Sequence, residues 1–175
     1  PKAATVGVGR QVILRPAVQK RYLELTEPTL HDQRPDIQRV TDGIDDLEVS
    51  VEFEVLQKLP TILRKNNFKV TAVIVDNLLI DIEPGDTTSS RFAVAYDLGT
   101  TTVVATLLDL NSGTPVAVKS MLNKQQPFGA DVISRISATM LDATALQRLR
   151  EAGQSTLKEL TDEVIQEAGI SNLNV

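Results

Sequence analysis

The residue types best suited to chemistry sit together in the run Tyr96-Asp97-Leu98-Gly99-Thr100-Thr101-Thr102-Val103-Val104. Strand-like residues stand on both sides of a turn that Gly99 allows to close sharply. Thr100 and Thr101 bring hydroxyls and backbone N–H groups to that turn, and Asp97 brings a carboxylate at the end of the incoming strand. A polyphosphate requires donors around its oxygens and a carboxylate to hold a hydrated magnesium ion. Asp97, Gly99, Thr100, Thr101 and Thr102 supply that combination. Threonines also favour strands for their own sake, so the surrounding elements must separate a phosphate hairpin from an ordinary one.

The pattern predicts three strands in quick succession, Phe92 to Tyr96, Thr102 to Leu108 and Val116 to Leu122, the last two joined through Asn111-Ser112-Gly113. The apolar period then lengthens to that of a helix. Val132, Ile133, Ile136 and Met140 form a stripe starting just after Gly129, and Leu146 with Leu149 suggests a short helix. Leu157, Leu160, Val164, Ile165 and Ala168 mark a longer one, with Gly169 as its stop. Asp131 and Arg135 lie four apart and can pair on one helix face, either as a solvated ion pair or as a partner contact. Asn123, Gln125 and Gln126 either line a cleft or fix the loop by hydrogen bonds.

Upstream, Arg21 to Leu25 reads as a strand, and a helix is expected from Pro35 to about Thr41 with Ile37, Val40 and Ile44 on one face. Val55, Leu56, Leu59, Ile62 and Leu63 give a second helix between Val51 and Asn66, which Pro60 is expected to kink or restart. Lys69 to Val75 and Leu78 to Ile82 read as a hairpin turning through Asp76-Asn77. Pro84 to Ser90 is the clearest linker. Gly7-Val8-Gly9 is too short for a dinucleotide fingerprint and reads as a turn or strand edge. Val12, Ile13 and Leu14 form one short apolar run. His31 beside Asp32 reads as a solvated loop residue, and Asp45, Asp46, Glu48, Glu52 and Glu54 as a solvated acidic face.

Composition narrows the function classes. Of 175 residues, 42% are hydrophobic and 23% charged, the balance of a globular protein. With aromatics at 3% and no Trp, any core must come from Val, Leu, Ile and Ala. The formal net charge of -5 argues against a nucleic-acid surface. No stretch approaches the roughly 18 apolar residues of a membrane span, so a cytoplasmic location is expected. The absence of cysteine leaves no thiolate nucleophile, disulfide or cysteine-ligated cluster in this chain. A chain that opens on Pro1 rather than Met reads as a piece of something longer.

Phe92 to Leu110 resembles the opening of the superfamily of acetate and sugar kinases, heat-shock chaperones and actin. The later run Asn123-Lys124-Gln125-Gln126-Pro127-Phe128-Gly129-Ala130-Asp131-Val132-Ile133-Ser134-Arg135-Ile136 narrows this. It resembles the ferredoxin-like activators of corrinoid proteins, with Lys124 where a proline is common. Arg21-Tyr22-Leu23-Glu24-Leu25, Leu56-Gln57-Lys58-Leu59-Pro60, Phe68 to Val73 and Ile80 to Gly85 are similar to the middle domain of that family.

The resemblance implies an α+β / α/β chain. Residues 1–19 would end a linker, 20–85 form a small α+β middle domain, 86–90 link, and 91–175 begin a truncated actin-like (ribonuclease H-like) ATPase domain. It implies an ATP-dependent reductive activator that restores cobalt(II) corrinoid proteins to cobalt(I). Its electrons would come from an iron–sulfur ferredoxin domain outside this chain. Asp97 would hold magnesium through water, and Gly99, Thr100, Thr101 and Thr102 would contact the phosphates of Mg-ATP in an incomplete site. Asn123, Asp131 and Arg135 would belong to the cleft or to a partner contact. The implied partner is a corrinoid iron–sulfur or corrinoid methyl-carrier protein, and the implied assembly a homodimer. The isolated chain is expected to be inactive. Two other classes remain compatible with the residues: a metabolite kinase of the same superfamily, and a non-catalytic docking or dimerisation segment.

Overall fold

The computed structural model describes residues 14–170. Gly7-Val8-Gly9, most of the first apolar run and the last five residues lie outside this range. The chain is mixed α+β and divides into two compact units, one ending at Arg91 and the other beginning at Phe92.

In the first unit, strands β1 (Val18–Glu24), β2 (Ser50–Val51), β3 (Lys69–Val75) and β4 (Leu78–Pro84) form a sheet in the order β1-β3-β4-β2. β1 is antiparallel to β3 and β3 to β4, while the short β2 runs parallel to β4. The β3–β4 hairpin turns through Asp76 and Asn77, with Asp76 in the left-handed region at φ 52°. Helices α1 (Asp36–Gly43) and α2 (Phe53–Lys65) bring Val40, Val55, Leu59 and Leu63 against Val70, Ala72, Ile74, Leu79 and Ile82 of the sheet. This is an aliphatic core, as the scarcity of aromatics requires.

Pro60 does not restart α2; the helix runs through it. Leu56 and Pro60 both lie on the exposed side, so water can serve the Leu56 carbonyl that proline leaves without a donor. The expected first strand starts earlier, at Val18, because its pairing with β3 begins at Val18 and Val75. The two-residue β2 carries too little pattern to be read from sequence.

The segment after β4 is anchored. Thr71 Oγ1 donates to Gly85 O (2.7 Å) and accepts from Thr87 N (3.0 Å). Lys20 Nζ reaches both Glu83 oxygens (2.9 and 2.8 Å) and Ser90 O (2.7 Å), with the Lys20 and Glu83 side chains only 4% and 6% exposed. A run rich in Gly, Thr and Ser thus ends the unit as a pinned strap.

The second unit is a three-stranded antiparallel meander, β5 (Phe92–Leu98), β6 (Thr102–Asp109) and β7 (Thr114–Leu122), followed by a 3-10 turn at Gln126–Phe128. Helices α3 (Val132–Leu141) and α4 (Ala145–Ala168) complete it. Val103, Ala105 and Leu107 alternate onto one face of β6 and pack with Ala117 against Leu160 and Val164 of α4. Tyr96 joins this side through a short hydrogen bond between its hydroxyl and that of Thr161.

One helical expectation needs correction here. The Leu146–Leu149 and Leu157–Ala168 segments are one helix of 24 residues, closed by Gly169 in the left-handed conformation at φ 65°. Gly153 sits inside α4 because Gln125 approaches there; an added Cβ would stand 3.1 Å from Gln125 Nε2. The apolar stripe of α3 exists as a helix, but it faces outward, Ile133 being 73% and Met140 82% exposed. The one buried side chain of α3 is Arg135.

Candidate phosphate-binding hairpin

The turn between β5 and β6 spans Gly99 to Thr101. Asp97 lies within β5, opposite Val104, two residues before the turn. Strand alternation puts it on the face of the sheet away from the Val103, Ala105 and Leu107 core. It is exposed, and among the described residues its carboxylate has no hydrogen-bond or ion-pair partner. The hydroxyls of Thr100, Thr101 and Thr102, and the amides of Thr100 and Thr101, likewise find none among the described residues. Gly99 is required for steric reasons: a Cβ there would stand 2.5 Å from the Thr102 carbonyl oxygen.

The turn is shaped from beneath. Asn123, 1% exposed, donates from Nδ2 to Gly99 O (2.9 Å), and its backbone N–H donates to Thr101 O (2.8 Å). Arg135, 8% exposed, donates from Nη2 to Thr100 O in a short hydrogen bond. Its Nε donates to Gly129 O (3.1 Å) and its Nη1 to Gln125 Oε1 (3.1 Å). Gln125 in turn donates from Nε2 to Leu149 O of α4 (2.9 Å), and its N–H donates to Asn123 Oδ1 (2.9 Å). Asn123 therefore fixes the loop from a buried position and does not line an open cleft.

The expected Asp131–Arg135 ion pair does not form. Asp131 caps α3 instead, accepting from Ser134 N (2.8 Å) and from the Ser134 hydroxyl (2.9 Å). The Ser134 amide, with its hydroxyl second, holds the Asp131 carboxyl below the usual carboxylate range. Arg135 turns inward because Gly129, Gln125 and Thr100 present three acceptors there, and a guanidinium can serve several at once. Gly129 makes room: its φ is 145°, and a Cβ would stand 2.5 Å from that of Ser134. A groove of about 420 Å3 nearby is lined by Val132, Ile136, Thr139, Leu146, Leu149 and Arg150 with Gln125 and Arg135. Its apolar walls do not suit a polyphosphate.

Sequence reasoning placed Asp97 and the turn residues together, and the structure groups them. Loop-fixing by Asn123 is one of the two sequence expectations; what the pattern does not indicate is that Asn123 and Arg135 together hold the turn carbonyls, with Gln125 bridging Arg135 to α4. The only available signal was the clustering of amide and guanidinium side chains just after β7. Among the described residues no group of three His, Asp or Glu side chains could hold a metal ion. Asp97 is an exposed carboxylate beside the turn, and a magnesium ion that keeps most of its waters commonly takes one or two protein carboxylates and its other ligands from phosphates.

Comparison with known proteins identifies the family. Residues 7–89 match the RACo linker region and residues 92–175 the RACo middle region. A solved reductive activator for corrinoid, iron-sulfur protein is 37% identical to the chain, with a TM-score of 0.75 over 97% of it. The chain belongs to the RACo family of reductive activators of corrinoid proteins. The corrinoid activation enzyme RamQ of Eubacterium limosum is 34% identical over 126 residues, 71% of this chain. The chain spans only 21% of RamQ and 28% of the solved activator. In the family's terms the unit before Phe92, read from sequence as the middle domain, falls in the linker region. The unit carrying the hairpin falls in the middle region. Among the described residues no helix is long and apolar enough to cross a membrane.

Proposed function

We propose that this chain is the phosphate-holding part of an ATP-dependent reductive activator, with residues 91–175 forming the first portion of an actin-like ATPase domain. The observation that carries the reading is the β5–β6 turn. Its carbonyls are tied down from inside, while among the described residues the Asp97 carboxylate, the Thr100, Thr101 and Thr102 hydroxyls and the Thr100 and Thr101 amides have no partner. Polar groups left free around a glycine turn suit a ligand that is itself rich in acceptors and accompanied by a cation. Asp97 would hold hydrated magnesium, and Gly99, Thr100, Thr101 and Thr102 would meet the phosphates.

The reaction served is the return of a cobalt(II) corrinoid to cobalt(I), a gain of one electron by cobalt and its loss by an iron–sulfur cluster. With no cysteine in its sequence, this chain offers no thiolate to such a cluster, so the electron would come from a domain outside it. Its part would be to couple nucleotide binding to that transfer. The partner would be a corrinoid iron–sulfur or corrinoid methyl-carrier protein, met in the cytoplasm by a homodimeric activator. One hairpin holds a nucleotide from one side only, so the isolated chain is expected to show no ATP turnover.

Calorimetric titration of the intact protein with Mg-ATP tests the nucleotide site: binding is expected, and Asp97→Ala should abolish it. The cobalt(I) absorption of a partner corrinoid protein, followed with a reductant, should then rise only when ATP is present. Failure of the wild type to bind Mg-ATP, or equal reduction with and without it, would refute the reading.

A further inference from the structure

Arg135 is positioned for more than holding a helix. A trans peptide points its C=O and the following N–H in opposite directions. The carbonyls of Gly99 and Thr100 are drawn inward by Asn123 Nδ2 (2.9 Å) and by Arg135 Nη2. The amides of Thr100 and Thr101 must therefore point the other way, and neither has a partner among the described residues. The Thr101 carbonyl is held as well, by the Asn123 N–H at 2.8 Å. Three successive carbonyls are thus clamped by two residues, and successive outward amides make a concavity suited to an anion.

Arg135 connects this clamp to the rest of the unit. Its Nη1 bonds Gln125 Oε1, and Gln125 Nε2 bonds Leu149 O of α4. Its Nε bonds Gly129 O, at the loop that leads into α3. Because α3 buries no other side chain, its seat and the shape of the hairpin depend on the same guanidinium. Resting on the proposed nucleotide site, we propose that Arg135 is a positioning residue for the phosphate hairpin, so that the seating of α3 sets the affinity for nucleotide phosphates. Arg135 acts through the Thr100 carbonyl.

The test is displacement calorimetry on the intact protein with Mg-ATP and, separately, adenosine, each variant also being followed by thermal unfolding. Arg135→Gln cannot reach all three acceptors and should weaken Mg-ATP by on the order of tenfold or more, leaving adenosine affinity unchanged. Arg135→Lys keeps the charge without the planar fork and should show the same selective loss to a smaller degree. If Arg135→Gln does not fold, Arg135→Lys is judged by the same criterion. Unchanged Mg-ATP affinity, or equal weakening of Mg-ATP and adenosine, would overturn the proposal, the second result marking a general structural role. If the wild type binds no Mg-ATP, both this inference and the nucleotide site fall. If Asp97→Asn abolishes binding while the Arg135 variants bind normally, only the inference about Arg135 falls.

Discussion

Replacing Asn123 isolates the contribution of the clamp to stability. Asn123→Ala removes the donor to Gly99 O and the acceptor of the Gln125 N–H, both at 2.9 Å. Leaving a buried polar group without its partner costs about 1–3 kcal/mol. Asn123 is almost fully buried, whereas Gly99 and Gln125 are half-buried and partly reachable by water. The lower part of the range therefore applies to each, for a total of about 2–3 kcal/mol. For a unit of this size that corresponds to a fall in Tm of roughly 8–24 °C. Asn123→Asp is the informative control. It keeps an acceptor for the Gln125 N–H but sets a carboxylate against the Gly99 carbonyl, so it should lose at least as much as alanine. Native-state amide exchange resolved by peptide reads the stability of residues 92–170 separately from residues 14–91. A loss below about 0.5 kcal/mol for Asn123→Ala, smaller than a typical single hydrogen bond, would refute this account of the clamp. So would wild-type stability in Asn123→Asp.

Leu160→Ala, at the centre of the contact between α4 and the sheet, should cost about 2–5 kcal/mol in urea unfolding, whereas Leu146→Ala on the exposed start of the same helix should change little. Lys20→Met leaves Glu83 buried without its cation and should cost about 3–5 kcal/mol in the first unit, seen as early exchange of β1, β3 and β4 amides. Acidification should loosen both ends of α3. The Ser134 amide lowers the Asp131 carboxyl and the Thr144 amide lowers that of Asp142. Carboxyls with depressed folded values contribute stability that is present above their ordinary range and lost as pH falls through the folded values. Protection factors (exchange relative to the intrinsic rate at the same pH) over residues 132–144 should therefore fall below the ordinary carboxylate range, and Asp131→Asn, which cannot titrate, should flatten that dependence.

Elements whose signals are local follow from the order of residues alone. Period-two runs of β-branched residues specified β3 to β7, Asp76-Asn77 specified a hairpin turn, and Gly169 specified the end of α4, because each depends on a residue's own backbone preference. Asp97, Gly99 and the threonines were likewise legible, since a glycine turn between two strands brings them together whatever the rest of the chain does. Tertiary structure alone decided which side of α3 faces the protein. An apolar stripe normally marks the buried side of a helix, yet here three inward acceptors on Gly129, Gln125 and Thr100 draw Arg135 in and leave Ile133 and Met140 outside. Tertiary structure also decided that Asn123 and Arg135, 24 and 35 residues beyond Gly99 and Thr100, meet those residues at their carbonyls. Sequence patterns report burial along one element; a hydrogen bond that sets a backbone's direction from another element leaves no period to read.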